Sequence, residues 1–254
     1  MTGILPILLE NARKVVNLLL TSSKEYICIM RLHRKVDEDK LIEIVREFRG
    51  QIYQIPPRKS AIKRRLRVRT IYQLNVLEID MPFVLMHIEC EAGVYIRKLC
   101  YDIGEALGCG ANMYKLRRIR SGVFKEDETM VTLHDIRDAY EIYKETGDES
   151  LLRKVIRPME YALQEFHKVF IKDSAVSAIC HGAQLATPGI VKVSKGIKQG
   201  DPVVIYTLKG EAVAIGEALM SSEDMIKKRR ATCVKTIRVL MDKSLYPKMW
   251  KRTH

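Results

Sequence analysis

The sequence predicts an α+β protein built on a mixed, largely antiparallel sheet, with a small β-rich domain behind it. Three observations carry this. Two long strand-type runs meet at the short turn "DMP" (80–82), which implies an antiparallel pair. Helical patterns follow strands directly, without a strict alternation of strand and crossover helix. Near residue 168 the chain changes to short β-type runs separated by Gly turns.

In chain order, residues 11–20 carry a helical pattern, with Val15, Val16, Leu18, Leu19 and Leu20 on its apolar side. "EYICIMRL" (25–32) alternates and reads as a strand. "DEDKLIEIVREFRG" (37–50) reads as an amphipathic helix: acids open it, Leu41, Ile42, Ile44, Val45 and Phe48 form its stripe, and Gly50 ends it. The two prolines of "QIPPRK" forbid ladder hydrogen bonds, so 53–69 reads as a loop. "TIYQLNVLEID" and "FVLMHIECE" form the paired strands, and "VYIRKLCYDIGEALG" starts a helix just after Gly93. Two further helices are expected at about 132–143 and 149–164, on either side of a solvated turn. In the β-rich part a short helix is expected at 173–180, and "LKGE" reverses the chain between two strands. Five or six short strands in this part suggest a small barrel, and the tail "SLYPKMWKRTH" is a candidate to pack back onto a domain. The expected domains are 1–166 and 167–243, with 244–254 as the tail.

Composition narrows the function. Lys and Arg total 44 against 31 acidic residues, a formal +13, which favours polyanionic partners. The basic residues are concentrated: "RKSAIKRRLRVR" (58–69) holds seven in twelve with no acid, and "YKLRRIR" (114–120) holds four in seven. The apolar run "GILPILL" is far shorter than the roughly 20 residues of a membrane span. The six cysteines form no C-x-x-C and read as buried thiols of a reducing cytoplasm.

Among candidate site residues, Arg58, Lys59, Lys63, Arg64, Arg65, Arg67 and Arg69 form an arm suited to phosphate contacts, which set register without reading bases. A solvated surface with no partner is the alternative. Arg117 and Arg118 extend the basic set. Tyr95 and Arg97 stand at a strand-to-helix junction, where an Arg can pair with a phosphate or a carboxylate and a Tyr can stack on a base. Spacing alone equally fits a core Tyr and a surface Arg. Tyr26 by itself is an unremarkable strand tyrosine, and Asp102 reads as a helix-surface acid. In "HGAQLATPGI" (181–190), His181 and Gly182 either let a nucleic-acid strand lie close to the backbone or merely form barrel turns. No H-x-x-x-H and no nucleophile elbow is present, so these residues reach RNA binding in two domains but no visible chemistry.

A resemblance extends this reading. "FRGQIYQIPPRKSAIKRRLRVRTIYQLNVLE" (48–78), "CEAGVYIRKLCYDIGEALGCGANMYKLRRIRSG" (90–122) and "FKEDETMVTLHDIRDAY" (124–140) resemble, in order, blocks of the TruB/dyskerin family of pseudouridine synthases. They are most like the archaeal dyskerin-type subunit of the H/ACA ribonucleoprotein, and 170–220 resembles its PUA domain. The resemblance implies isomerisation of uridine to pseudouridine in rRNA, directed by H/ACA guide RNA, with the T-arm uridine of tRNA as a further target. It implies no cofactor and no metal, small protein subunits and RNA as partners, and no membrane. By motif, Tyr26 is similar to the Tyr that stacks on the target base, and Tyr95 to the second pocket Tyr. Arg97 is similar to the Arg that pairs with the catalytic carboxylate, and Leu116 to the apolar wall beneath the base. The family usually has Thr where Val94 stands.

"TGILPILLENARKVV" (2–16) resembles the segment just after the family block G-x-L-D-P-x-x-T-G. The resemblance therefore implies that the catalytic Asp precedes residue 1 and that 1–254 holds no catalytic residue. The chain as given is then expected to be inactive. The alternative expectation is a non-catalytic RNA-binding or scaffold protein, or a decayed synthase that retains RNA binding through its PUA domain.

Overall fold

The structure, a computed structural model, describes residues 2–56 and 63–248. These divide into two compact units. One holds the chain up to Ile7 together with Val16–Ile156; the other holds Leu8–Val15 and the chain from Arg157 onward. The expected boundary at 166/167 thus lies further along than the change of unit. Residues ahead of it belong with the second unit through contacts such as that of the Glu160 carboxylate, which accepts from the Ala212 amide at 3.0 Å.

The first unit contains strand β1 (Thr2–Gly3), helix α1 (Val16–Thr21), β2 (Lys24–Leu32), α2 (Glu38–Glu47), β3 (Gly50–Gln54), β4 (Arg67–Asp80) and β5 (Phe83–Cys90). It continues with α3 (Ile96–Leu107), β6 (Ala111–Ser121), β7 (Phe124–Lys125), α4 (Leu133–Thr146) and α5 (Ser150–Val155). Its sheet runs β1-β6-β2-β5-β4-β3, with β7 on β6. All pairs are antiparallel except β1 with β6.

Strand β2 explains the centre of this sheet. Its alternation sends Cys28, Met30 and Leu32 to one face, where they are buried with Leu99, Cys100 and Ile103 of α3. Each aliphatic side chain so buried contributes about 1.5–3 kcal/mol. Helix α2 covers the same core with Leu41 and Val45. The Asp37 carboxylate caps α2 by accepting from the Lys40 amide at 3.0 Å, an arrangement worth about 1 kcal/mol. Gly108 ends α3 at φ 71°, the left-handed conformation of a helix stop.

Several expectations change. The helix expected over 11–20 is a 3-10 turn, Glu10–Val15, followed by the short α1. The helix expected over 149–164 is α5 and a separate 3-10 turn, Met159–Leu163, parted at Pro158, which has no N–H to continue the ladder. The expected loop over 53–69 is strand at both ends: Tyr53 and Gln54 belong to β3, and Arg67 and Arg69 to β4. Arg58 and Lys59 lie outside the described residues. Strand β6 leaves no clear alternation in the sequence, because basic residues occupy both of its faces.

The second unit contains β8 (His167–Ile171), α6 (Asp173–Cys180), β9 (Leu185–Ala186), β10 (Ile190–Val193), β11 (Pro202–Thr207), β12 (Ala212–Ala218), α7 (Ser222–Lys227) and β13 (Thr232–Val239). Its mixed sheet runs β10-β8-β11-β12-β13-β9. The short helix and the strand–turn–strand at "LKGE" stand where the sequence placed them. Val169, Ile171, Val203, Ile205 and Val213 fill the core against Val176 and Ile179 of α6. The tail returns: Tyr246 packs on this core, and its hydroxyl donates to Glu211 Oε2 at 2.7 Å.

Burial, reinforced by the Glu160 carboxylate, pushes the Tyr206 hydroxyl up to about 12 from its ordinary 10.0. The unfolded chain ionises first as pH rises, so this contribution to stability is full below pH 10 and lost on the way to about 12. Tyr206→Phe is expected to flatten the alkaline fall of urea-unfolding free energy by at most about 2–3 kcal/mol. An unchanged slope in the variant would contradict this.

Candidate nucleic-acid site

The site is assembled where the sheet meets the first turns of α3. A cavity of about 740 Å³ opens there, lined by β1 and the residues after it, β2, the β5–α3 junction, β6 and Ile55. Tyr26, Tyr95, Arg97 and Leu116 all line it, although the sequence scatters them over three segments. Arg67, Arg69, Arg117, Lys63, Arg64, Arg65, His181 and Gly182 do not.

Tyr26 follows from the alternation of β2: it shares a face with Cys28 and Met30, and packs against the same core. Leu116 pairs with Cys28 across β2 and β6, and is buried. Burial holds the Tyr26 hydroxyl protonated beyond its ordinary range, against an opposing pull from the Arg118 guanidinium. The ring therefore offers a neutral O–H and an aromatic face.

Tyr95 stands just before α3 and is held by its backbone. Gln54, almost fully buried at the end of β3, brackets it: the Tyr95 amide donates to Gln54 Oε1 at 2.9 Å, and Gln54 Nε2 donates to the Tyr95 carbonyl at 3.2 Å. A buried amide satisfied on both sides fixes its partner, since breaking the bracket would strand polar groups at about 1–3 kcal/mol each. Sequence reasoning missed Gln54, whose only signal is a polar residue before two prolines. Arg97, the second residue of the helix, is exposed at the cavity wall.

The basic run at 114–120 places Arg118 among the candidate RNA contacts. In the structure its Nε and Nη2 both donate to the Ile4 carbonyl, at 2.8 and 2.6 Å, and it lines the cavity. The Ile4 amide donates back to the Arg118 carbonyl at 2.9 Å. Close approach makes this possible: Gly3 sits at φ +96°, and a Cβ there would lie 2.1 Å from the Arg118 carbonyl oxygen.

The other basic residues are more committed than their density suggests. Arg117 is paired with Glu126, its Nε donating to both carboxylate oxygens at 2.9 and 3.0 Å. Arg69 Nη1 donates to Glu91 at 3.2 Å. Arg120 bridges Glu25 and Glu89. Lys63, Arg64 and Arg65 are exposed. In the second unit, His181 closes α6, with Nδ1 donating to the Ser177 carbonyl at 2.7 Å. Gly182 follows at φ +87° with open space where a Cβ would stand.

Among the described residues that line the cavity, none is acidic. The cavity offers three tyrosines, Tyr26, Tyr95 and Tyr101, an apolar floor and a rim of positive charge. That combination suits a flat, neutral base carried on a phosphate chain.

Family models match the whole length of this site. The TruB family pseudouridylate synthase N-terminal domain matches residues 1–96, the tRNA pseudouridylate synthase B C-terminal domain matches 97–164, and the PUA domain matches 167–240. A probable tRNA pseudouridine synthase B of Methanopyrus kandleri is 56% identical over 249 residues, covering 98% of this chain and 73% of the relative. That of Methanocaldococcus jannaschii is 51% identical, covering 99% of this chain and 74% of the relative. A crystal structure of a Cbf5–Nop10–Gar1 complex is similar with a TM-score of 0.90 and 53% identity, over 96% of this chain and 74% of that one. A structure of an H/ACA RNP bound to a substrate RNA containing 2′-deoxyuridine is similar with a TM-score of 0.87 and 50% identity, over 95% and 73%.

Gly3→Ala is expected to release Ile4 from Arg118. Exchange of the Ile4 amide should quicken by about 10- to 100-fold, matching about 1–3 kcal/mol of backbone strain. Hydrogen exchange with site resolution checks this, and an unchanged Ile4 amide would show that the close approach is not required.

Proposed function

The chain belongs to the TruB family of pseudouridylate synthases, and from that premise we propose that its first domain receives a target uridine of RNA in the cavity between β2, β6 and α3. We read 1–166 as the synthase domain, 167–243 as the PUA domain and 244–254 as the tail, acting in the cytoplasm. The substrates are uridines of rRNA selected by an H/ACA guide RNA, with the T-arm uridine of tRNA as a further target. Small protein subunits of an H/ACA ribonucleoprotein are the protein partners. The similarity to a Cbf5–Nop10–Gar1 complex and to an H/ACA RNP with substrate RNA supports this choice.

The observation that carries the reading is the convergence of Tyr26, Tyr95, Arg97 and Leu116 on one cavity. A base must leave its stack to enter, at a cost of a few kcal/mol that binding must offset. Tyr26 covers a face of the uracil, Leu116 lies beneath it, and Tyr95 closes the side on a backbone fixed by Gln54. The apolar lining keeps water from the detached base. Isomerisation conserves atoms: the N1–C1′ bond breaks, the base turns, C5 bonds to C1′, and the proton of C5 leaves while N1 gains one.

Arg97 holds the negative charge that accompanies the reaction, whether phosphate or carboxylate. With no acid among the described lining residues, the reading assigns 1–254 by itself the role of binding RNA without converting it. The exposed Lys63, Arg64 and Arg65 contribute phosphate contacts, with Arg58 and Lys59 proposed to join them. On the PUA domain, the turn at His181 and Gly182 is proposed to meet the ACA-bearing end of the guide.

The test uses RNA stem-loops carrying a C5-tritiated uridine. Wild-type 1–254 should bind, release no tritium, and lose about 10- to 100-fold in affinity between 50 and 200 mM salt. Tyr26→Ala and Arg97→Gln should weaken binding, with Tyr26→Ala acting only when the target base is present. Equal affinity for RNA with and without that base would overturn the cavity assignment. Tritium release by 1–254 would overturn the assignment of binding without turnover.

A further inference from the structure

We propose that Tyr101 and Lys98, on the outer face of α3, form a second nucleotide subsite that stacks the base next to the target uridine and holds its phosphate. This rests on the reading of the cavity as an RNA site and names a further part of the substrate it takes.

Both residues line the same cavity as Tyr26 and Tyr95. Tyr101 lies six positions beyond Tyr95, about 9 Å along the helix axis at a rise of about 1.5 Å per residue. Stacked bases repeat at about 3.4 Å, so a base held by the inner tyrosines does not also cover the Tyr101 ring. A second flat ring is needed there.

The Tyr101 ring is presented rather than packed. The residue is 50% exposed, in a wall whose neighbours Ile96, Leu99 and Cys100 are all buried. Lys98 Nζ lies over this ring, 4.8 Å from its centroid. Asp102, one turn further on, pairs with the same ammonium and keeps it from swinging into solvent. An ammonium has three donors, so Lys98 can keep Asp102 and still meet a phosphate oxygen. Arg97 stands one turn before Tyr101 on the exposed face of the helix. The result is an aromatic shelf with fixed positive charge beside it, the arrangement that binds a nucleotide of single-stranded RNA with little regard to sequence.

The experiment measures binding of the full chain to four single-stranded oligoribonucleotides with one uridine: intact, abasic at the uridine, and abasic at its 5′ or its 3′ neighbour. One neighbour's removal should weaken wild-type binding by about 5- to 100-fold. Tyr101→Ala should weaken the intact RNA by the same factor and leave binding to that abasic RNA unchanged. Tyr101→Phe should bind as wild type, which separates stacking from a folding defect. Lys98→Gln should weaken every RNA and lower the salt dependence by about one phosphate contact. Equal effects of Tyr101→Ala on intact and neighbour-abasic RNA, or no effect on either, would overturn the subsite. If removal of the uridine base itself changes nothing, the cavity reading fails instead, and the two failures are distinct.

Discussion

The first unit depends on the position of β2, which is hydrogen-bonded along both edges, to β5 and to β6. Being central, it fixes register in both directions. One slip by a residue would turn Cys28, Met30 and Leu32 out of the core and send Tyr26 away from the cavity. The same pairing sets Leu116 beside Cys28 and brings Arg118 opposite Tyr26. The aromatic wall, the apolar floor and the clamp on Ile4 therefore share one source of precision. Placing such groups on strands rather than on loops holds them to the tolerance that base recognition requires.

Positive charge in this chain serves two purposes that composition cannot separate. Register decides which. In β6, Arg117 and Arg118 are neighbours in sequence but point to opposite faces, and the first meets a carboxylate while the second meets a backbone carbonyl. Arg120 is drawn into the pair Glu25 and Glu89, which would otherwise repel each other across β2 and β5. Much of the run at 114–120 is thus structural. Lys63, Arg64, Arg65 and Arg97, by contrast, are exposed to an external partner.

The sequence made β2, α2, the β4–β5 pair, α3, α6 and the β11–β12 pair legible, because each has a clear period and a marked end. Strands β3 and β6 were not, for a physical reason. The stability of β3 comes from pairing with β4, which no local pattern announces, and the alternation of β6 is masked by arginines whose partners are distant in sequence. The site followed the same division. Tyr95 and Arg97 stood out by their place at a junction, while Tyr26 and Leu116 gained meaning only by resemblance. Gln54 and the carbonyl of Ile4 were invisible, since their roles consist of contacts between segments.

The second unit is discontinuous: Leu8–Val15 belongs to it although the chain then returns to the first unit. Lys14 donates to the Leu240 carbonyl at 3.0 Å, which ties the end of β13 to a segment far earlier in the chain. A segment that begins at Arg157 therefore carries the β-rich fold without one of the pieces that pack with it. Seen this way, the boundary of the module is a property of its contacts and not of the order of its residues.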